Sequence, residues 1–438
     1  MIAFIRKLLK DRRGNALAIA CAAMPLIVGS AGLAVDTIQW TLWKRQLQRA
    51  ADSAAIAGVY DREAANGGTS TITTTVNHDL TLNKHTWMSL KSGYPTLEYP
   101  GNSGVMMNAV KVTLAVQEPL PFSSFFMSSA PTIYAVSTAA SIPAGGDPCM
   151  GAFETSAKKS GLNFTGNAGI EAPDCTGWAN SASTNSAAAG GSSNVTLESV
   201  VAVGGIQESN NWHVKAYRPY SPPFKDPYAT VDPDPADMRC TTADLTQDTN
   251  LAAAVTADTN CWASLRVNSG TTLDLDGYSN PNNPNKTFYI NAGDAFIQGD
   301  IKCTACTIVL TNKDTTSTAT IGQFKVNAGS NTNLTAPTGG KFQGIAIYQD
   351  RRAQDSNQTN KINGNSGSVI QGGLYFPSQQ LDYNGSGTTS AICTMFLARR
   401  LNFSGNSTTT NKFRRLADCA AFGLGTGTGT SRMIRLVA

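Results

Sequence analysis

The hexapeptide LNFTGN at residues 162–167 returns as LDYNGS at 381–386 and LNFSGN at 401–406, with looser copies FYINAG at 288–293 and FKVNAG at 324–329. In each copy, apolar residues alternate along a short strand, and the following Asn or Ser and Gly can turn the chain. The copies at 381 and 401 begin 20 residues apart, which suits one coil of a β-solenoid. The repeat therefore predicts a right-handed parallel β-helix over residues 144–438, with a two-sheet β-sandwich as the alternative.

The spacing of the other copies is uneven, which requires coils of different sequence and inserted loops. Residues 217–237 contain six prolines, and proline cannot donate a hydrogen bond to a sheet ladder. We therefore expect an inserted loop region at about 208–285, closed by Cys240 and Cys261.

The N-terminus carries a predicted membrane anchor. Residues 16–35 contain no charged side chain, and a helix of that length crosses a hydrocarbon core of roughly 30 Å. Basic residues precede the stretch, and Asp36 follows it. Because basic flanks stay in the cytoplasm, we expect a cytoplasmic leader at 1–15 and a transmembrane helix at 16–36. The bulk of the chain would then be periplasmic or extracellular.

A cleavable secretory signal peptide produces a similar pattern. Its apolar stretch is usually about 7–15 residues long, shorter than the one at 16–35. A retained, single-pass anchor is therefore favoured, and cleavage near Ala34 would instead indicate a secreted protein.

Residues 37–143 are predicted to form a small α+β region. Apolar residues recur at helical spacing from Ile38 to Val59, so the anchor helix should continue beyond the membrane. Two strand patterns follow, at 109–117 and 132–142. A long helix followed by a small sheet is a pilin-like layout.

Eight of the nine cysteines lie beyond the anchor, and Cys21 lies inside it. An even set fits disulfides in an oxidising compartment. Cys303 and Cys306 also have the spacing of a redox pair or half a zinc site, but the chain has no second CxxC motif and only three histidines. We favour pairing between neighbours: Cys149 with Cys175, Cys240 with Cys261, Cys303 with Cys306, and Cys393 with Cys419.

Composition and motifs argue against nucleic-acid binding and against most enzyme classes. Charged residues make up 15% of the chain and the net charge is +4, part of it in the leader, so nucleic acid is not an expected partner. No GxSxG, HExxH, P-loop or dinucleotide fingerprint occurs, and neither a cofactor nor a metal site is predicted. The densest acidic group, interpreted as a solvated loop, comprises Asp226, Asp232, Asp234 and Asp237.

The N-terminal region resembles the Flp pilus-assembly proteins of the TadE/TadG-like type, from bacterial tight-adherence systems. The likeness is carried by RRGNALA at 12–18, GLAVD at 32–36 and QLQRAADSAA at 46–55. A looser likeness covers GIAIYQDRR at 344–352 and GGLYFP at 372–377. Gly14 is the possible processing site, but the Glu that often follows such a glycine in pilins of this system is missing.

The resemblance implies a non-enzymatic component of the pilus-assembly or secretion apparatus. Its partners would be the bacterial inner membrane and pilus or secretion-system proteins. Some TadG-like proteins also carry a metal-binding von Willebrand factor A domain, for which Asp314, Thr316 and Thr318 are the one hint here. We interpret these three residues as an exposed turn.

Two other functions stay open from the sequence. A surface adhesin or carbohydrate-binding module would use aromatic side chains such as Trp178, Trp212 and Trp262 on glycans, although packing in the core or in a loop is the favoured use of each. A polysaccharide-degrading β-helix enzyme would use Asp232, Asp234 and Asp237, and is the less favoured of the two.

Overall fold

The chain folds as two compact units. A computed structural model describes residues 15–86, 88–104, 106–143, 147–355, 359–365, 367–386, 389–405, 408–412, 419–422 and 432–437. Unit 1 consists of Met1–Ile142 with Ile434–Ala438, and unit 2 of Pro143–Met433. Gly14 and residues 1–14 of the leader lie outside the described residues.

In its described residues, unit 1 combines two helices with a four-stranded sheet. Helix α1 is Asn15–Ala64 and helix α2 is Ile72–Asn83. The strands are β1 Thr96–Glu98, β2 Met107–Val116, β3 Ile133–Pro143 and β26 Arg432–Leu436, in the order β1-β2-β3-β26. A 3₁₀ turn, Ser123–Phe125, lies between β2 and β3.

The helix and both predicted strands of unit 1 are present, but its last strand comes from the other end of the chain. The backbone N–H of Val437, directly after β26, donates to the carbonyl of Thr138 on β3 at 2.8 Å. The predicted β-solenoid range of 144–438 is therefore too long, because β26 pairs with β3 and Ile434–Ala438 belongs to unit 1. The reason is geometric, because the unpaired N–H and C=O groups of an edge strand can pair with any strand that reaches them, however far away it is in sequence.

Unit 2 is one large parallel sheet. Every described pairing within its 22 strands is parallel, whereas an immunoglobulin-like sandwich is antiparallel. It also contains helix α3 Leu251–Thr256 and two 3₁₀ turns, Pro235–Asp237 and Ala420–Phe422. The strands are β4 Asp147–Ala152, β5 Leu162–Phe164, β6 Gly169–Ala179, β7 Ala187–Ala189, β8 Asn194–Ala202, β9 Trp212–Arg218, β10 Leu245–Thr246, β11 Cys261–Trp262, β12 Leu265–Val267, β13 Thr272–Asp274, β14 Thr287–Asn291, β15 Ala295–Ile297, β16 Asp300–Cys303, β17 Thr307–Thr311, β18 Phe324–Val326, β19 Thr332–Thr335, β20 Ile345–Gln349, β21 Asn360–Asn365, β22 Val369–Ser386, β23 Thr389–Ile392, β24 Thr394–Gly405 and β25 Thr408–Lys412.

The three close copies of the hexapeptide pair directly in one ladder. Leu381 on β22 is opposite Leu401 on β24, and Leu401 is opposite Leu162 on β5. The looser copy at 324 belongs to the same ladder, with Phe324 opposite Ala295. The copy at 288 does not, because its Phe288 is opposite Ile308 on β17, in a different ladder.

The order of strands in this ladder differs from their order in the chain. The ladder runs β10-β12-β15-β18-β21-β22-β24 and then continues into β5 and β7. Strands near the start of unit 2 are thus stacked after strands near its end. The segment between β9 and β10 must therefore connect the first set of strands to the second.

Residues 219–239, which we call the strap, make that return. The strap follows β9 and leads to β10, and it carries the prolines noted in the sequence. The predicted loop region at 208–285 is wider than this, because β9, β10, β11, β12 and β13 lie inside it. Four of these five strands, β10 to β13, are only two or three residues long and carry too little pattern to be recognised in sequence.

Candidate functional site

Helix α1 divides into an exposed apolar part and a buried part. Its 50 residues correspond to about 75 Å at about 1.5 Å per residue. In the first part, Ile19 is 65% exposed, Leu26 76% and Leu33 58%. Within the described residues, this is the one helix long and apolar enough to cross a membrane. Such a surface is unfavourable in water and favourable in lipid.

The second part of α1 packs into unit 1. Leu47, Ala51, Ala55 and Val59 are fully buried. Small side chains allow close approach, and a Cβ added at Gly58 would lie 3.0 Å from Val110 on β2. The alanine-rich segment at 46–55 therefore serves packing against the sheet and α2.

Polar contacts fix the same part of α1 to its neighbours. Gln48 donates from Nε2 to Asp52 Oδ1 and to the carbonyl of Val136 on β3, both at 2.9 Å. Ser53 donates from Oγ to Asp79 on α2 at 3.0 Å. The side chains of the 46–55 signature thus orient the helix on unit 1.

The acidic residues of the strap bind it to the sheet. Asp232 Oδ1 lies 2.5 Å from Arg351 Nε, and Asp226 accepts a hydrogen bond of 2.7 Å from the Tyr375 hydroxyl. Burial, followed by the charge of Asp226, raises the pKa of Tyr375, so this hydroxyl stays protonated and donates. Asp237 lies 3.5 Å from Lys341.

Asp234, the remaining member of the acidic group, accepts from the backbone N–H of Ala236 at 2.9 Å. The sequence suggested Asp232, Asp234 and Asp237 as an enzymatic alternative. Their geometry instead matches structural pairing, because each of the three has a partner within the chain.

The three tryptophans considered for glycan binding are buried. Trp178 is 1% exposed, Trp212 5% and Trp262 2%. Trp178 packs 5.9 Å from Phe224 of the strap, between ring centroids, and Trp262 packs 5.9 Å from Phe288. Core packing, the use that the sequence favoured for each of them, is therefore confirmed, and they give no support to the adhesin hypothesis.

Four disulfides are present, in the neighbouring pairs that the sequence favoured. They join Cys149 to Cys175, Cys240 to Cys261, Cys303 to Cys306 and Cys393 to Cys419. Cys21 is the free cysteine among the described residues. Because Cys303 and Cys306 are bonded to each other, neither is a thiolate ligand in this state.

Asp314, Thr316 and Thr318 lie in an exposed turn. The Asp314 carboxylate accepts from the backbone N–H of Thr316 at 2.9 Å and from its hydroxyl at 3.0 Å. Across the part of the chain that the structure describes, no group of three or more His, Cys, Asp or Glu residues is placed to hold a metal ion.

The cluster around Glu154 was not anticipated from the sequence. Glu154 is 1% exposed, and its carboxylate lies 3.1 Å from Arg399 Nε and 2.7 Å from Arg400 Nη1. Burial alone would raise the pKa of Glu154, but hydrogen bonds from Arg399, the backbone of Ser156 and Arg400 lower it to about 2. No local motif signals this cluster, because its members are about 245 residues apart.

An open polar groove of about 520 Å³ lies next to this cluster. Amides of adjacent strands meet in it: Asn163 donates to Asn402 at 3.1 Å, and Asn402 donates to Asp382 at 3.2 Å. Its lining also includes Lys159, Asp355, Gln380 and Arg400.

Comparison with known proteins gives a match for the N-terminal helix alone. No curated protein and no solved structure matches the chain. One family model does, and it confirms the resemblance seen in the sequence. Residues 14–65, almost the same span as helix α1, match the family described as Putative Flp pilus-assembly TadE/G-like.

Proposed function

We propose that the protein is a non-enzymatic, membrane-anchored component of the Flp/Tad pilus-assembly or secretion apparatus. The observation that carries the proposal is the two-part helix α1. The family match covers both its exposed apolar part and its buried part, which supports an anchor joined to a folded unit. The strap carboxylates form ion pairs and hydrogen bonds within the chain, which supports a role without catalysis.

The proposed topology places residues 1–15 in the cytoplasm, 16–36 across the bacterial inner membrane and the rest in the periplasm or beyond. The basic leader supports this orientation. The four disulfides support an oxidising compartment for unit 2, since cytosolic thiols are kept reduced. We propose that the anchor is retained uncleaved, without processing at Gly14.

We further propose that unit 2 is a right-handed parallel β-helix. Its support is the ladder pattern, in which a strand pairs with others two or three elements away along the chain. Stacked identical positions support it as well: Phe403 lies 5.1 Å from Phe164 and 5.8 Å from Tyr383 between ring centroids. Right-handedness follows the general rule for parallel crossovers.

A deletion and co-purification experiment tests the function. In the native bacterium, deletion should reduce piliation, and the full-length gene should restore it. Native protein extracted in mild detergent should co-purify with pilus-machine components, whereas an unrelated single-pass inner-membrane protein of similar abundance should not. Normal piliation in the deletion strain together with no such component would reject the proposal.

Topology and processing need separate measurements. Protease added to spheroplasts should digest units 1 and 2 and leave an N-terminal tag protected. The mass of the membrane-extracted protein should include Met1. A start at Asn15 would indicate pilin-like processing after Gly14, and a start after Ala34 would indicate secretion.

A carbohydrate-binding function is the second candidate, because the polar groove places amide, carboxylate and guanidinium groups side by side. Such groups suit sugar hydroxyls, although the groove lacks an aromatic platform among its lining residues. A glycan array should then show binding that Asn402→Ala weakens and an exposed control, Tyr217→Ala, does not. An array without any bound glycan would remove this candidate.

A further inference from the structure

The connection between β2 and β3 is uncharged and exposes large apolar side chains. Residues 119–131, which we call the aromatic loop, contain no Asp, Glu, Lys or Arg. Phe125 is 83% exposed, Phe126 77% and Met127 49%. Apolar side chains clustered in this way on a surface mark a site of contact with a membrane or another molecule.

Asp36 fixes the aromatic loop to helix α1. Its carboxylate accepts from the backbone N–H of Phe122 at 2.9 Å and from that of Ser123 at 2.5 Å, and also from the Ser123 hydroxyl. Asp36 is 3% exposed, although it is the first charged residue after the apolar stretch 16–35. The loop therefore supplies the hydrogen bonds that a carboxylate at the edge of a membrane span requires.

The aromatic loop also extends past Asp36 toward the apolar part of the helix. A Cβ added at Gly32 would lie 2.3 Å from the Phe122 ring, so this ring occupies the space directly over Gly32. The Phe126 ring is 5.2 Å from that of Phe122, between centroids. Gly32 precedes Asp36 by one helical turn, or about 6 Å.

The Phe122 ring is thus level with the apolar stretch of α1, and the exposed Phe126 ring adjoins it. At the same level along the helix, Leu33 is 58% exposed and Val35 53%. The apolar stretch of the helix and the aromatic side chains of the loop therefore meet at Gly32. A lipid leaflet that covers the helix at this depth also covers the loop.

We propose that Phe125, Phe126 and Met127 insert into the non-cytoplasmic leaflet of the bilayer that helix α1 crosses. This inference rests on the proposed membrane anchor. Aromatic residues favour the membrane interface, and the serines at 123, 124, 128 and 129 provide hydroxyls at headgroup level. The second contact limits the tilt and rotation of α1 and so orients unit 1 on the membrane.

Lipid fits this surface better than a protein partner does. The aromatic loop has no charged residue to specify a partner, and its Phe122 ring lies against Gly32 of the apolar stretch. Protein interfaces usually surround their apolar centre with a polar rim. Contact with a protein remains an outcome that the experiment can reveal.

Photocrosslinking in the full-length protein tests the inference. The photoreactive residue benzoylphenylalanine replaces one of three exposed side chains, Phe126, Leu26 in the span or Leu82 on α2, in protein reconstituted into phospholipid vesicles. Leu82 is 70% exposed, close to the exposure of Phe126. It adjoins Asn83, which donates to Ser53 at 3.2 Å, and Ser53 lies about 26 Å along the helix from Asp36.

We expect lipid adducts at 126 and at 26, each at least about tenfold above those at 82. Adducts at 26 without adducts at 126 would overturn the inference and leave the anchor intact. No adducts at 26 would reject the anchor, and the inference with it. In native membranes, adducts of 126 with a protein in place of lipid would also overturn it.

A second measurement does not depend on the photoreactive residue. Phe126→Trp adds one indole, and its fluorescence is obtained by subtracting the wild-type signal from that of the variant. Lipids brominated near the headgroup end of the acyl chain should quench that added fluorescence, with little quenching for the Leu82→Trp control. Equal quenching in both variants would contradict insertion.

Discussion

The strand that carries Leu401 forms two joints that look alike but connect very different parts of the chain. On one side, Asn402 contacts Asp382, which is 20 residues away in sequence. On the other side, it contacts Asn163, which is 239 residues away. We call these the near joint and the far joint.

Both joints use the same kinds of contact. Each has a leucine pair, an amide or carboxylate pair and an aromatic pair in the same register. Closing the longer loop costs about 2 kcal/mol more by chain entropy. The far joint additionally has the buried Glu154 cluster with Arg399 and Arg400, which offsets part of that cost. Side-chain complementarity, not sequence proximity, sets the register.

The largest expected effect comes from a residue shared by both joints. Phe403→Ala removes a ring that is 1% exposed and should lower the free energy of unfolding of unit 2 by about 3–5 kcal/mol. Urea unfolding of the full-length protein in detergent measures it. Tyr217→Ala, at a side chain that is 51% exposed, should change it by less than about 0.5 kcal/mol. Similar losses for both variants would contradict shared packing.

Removal of a disulfide near the far joint should be the next largest effect. Cys149 and Cys175 close a separation of 26 residues, against 3 for Cys303 and Cys306. Chain entropy then predicts that replacing both Cys149 and Cys175 by Ala lowers the free energy of unfolding by about 3.5 kcal/mol. Replacing both Cys303 and Cys306 by Ala should lower it by about 1.5 kcal/mol. Thermal unfolding of the two double variants compares them, and a reversed order would oppose this reasoning.

Neutralising the buried acid should weaken the far joint specifically. Glu154→Gln replaces charge-assisted hydrogen bonds by neutral ones and should cost about 1–3 kcal/mol. The matched control is Glu198→Gln, since Glu198 pairs with a Lys215 side chain that is 70% exposed, and exposed pairs contribute about 0–1 kcal/mol. Equal costs in urea unfolding would mean that the Glu154 cluster adds nothing to the joint.

The smallest effect is a dependence on pH. The pKa of Glu154 falls from 4.5 to about 2 on folding, so its contribution is complete above about pH 4.5 and is lost as the pH falls toward 2. The stability difference between wild type and Glu154→Gln should therefore shrink between pH 6 and pH 2.5. A difference that stays constant over this range would show that the carboxylate does not titrate in that way.

Local patterns in the sequence predicted several elements correctly. The uncharged stretch at 16–35 and the helical spacing up to Val59 predicted helix α1, because hydrophobic period and length are local properties. The alternation of apolar residues predicted β2 and β3. The hexapeptide predicted direct pairing between the copies at 381 and 401.

Other features were beyond such patterns. The burial of Trp178, Trp212 and Trp262 depends on whether the strap and neighbouring strands cover them, and composition does not reveal this coverage. The two- and three-residue strands within 208–285 were too short to carry a periodic signal. The Asp36 contact with Ser123 joins residues 87 apart and has no motif.

The amino-acid sequence by itself therefore determined the apolar N-terminal helix, its continuation beyond the apolar stretch, the parallel strand repeats and the disulfide-rich character. These follow from spacing and composition within short windows. Only the tertiary structure decided that strands from the start of unit 2 stack after those from its end, that the strap runs between them, and that 432–436 completes unit 1. These arrangements depend on which surfaces fit when the chain is compact, and that fit is a property of residues far apart in sequence.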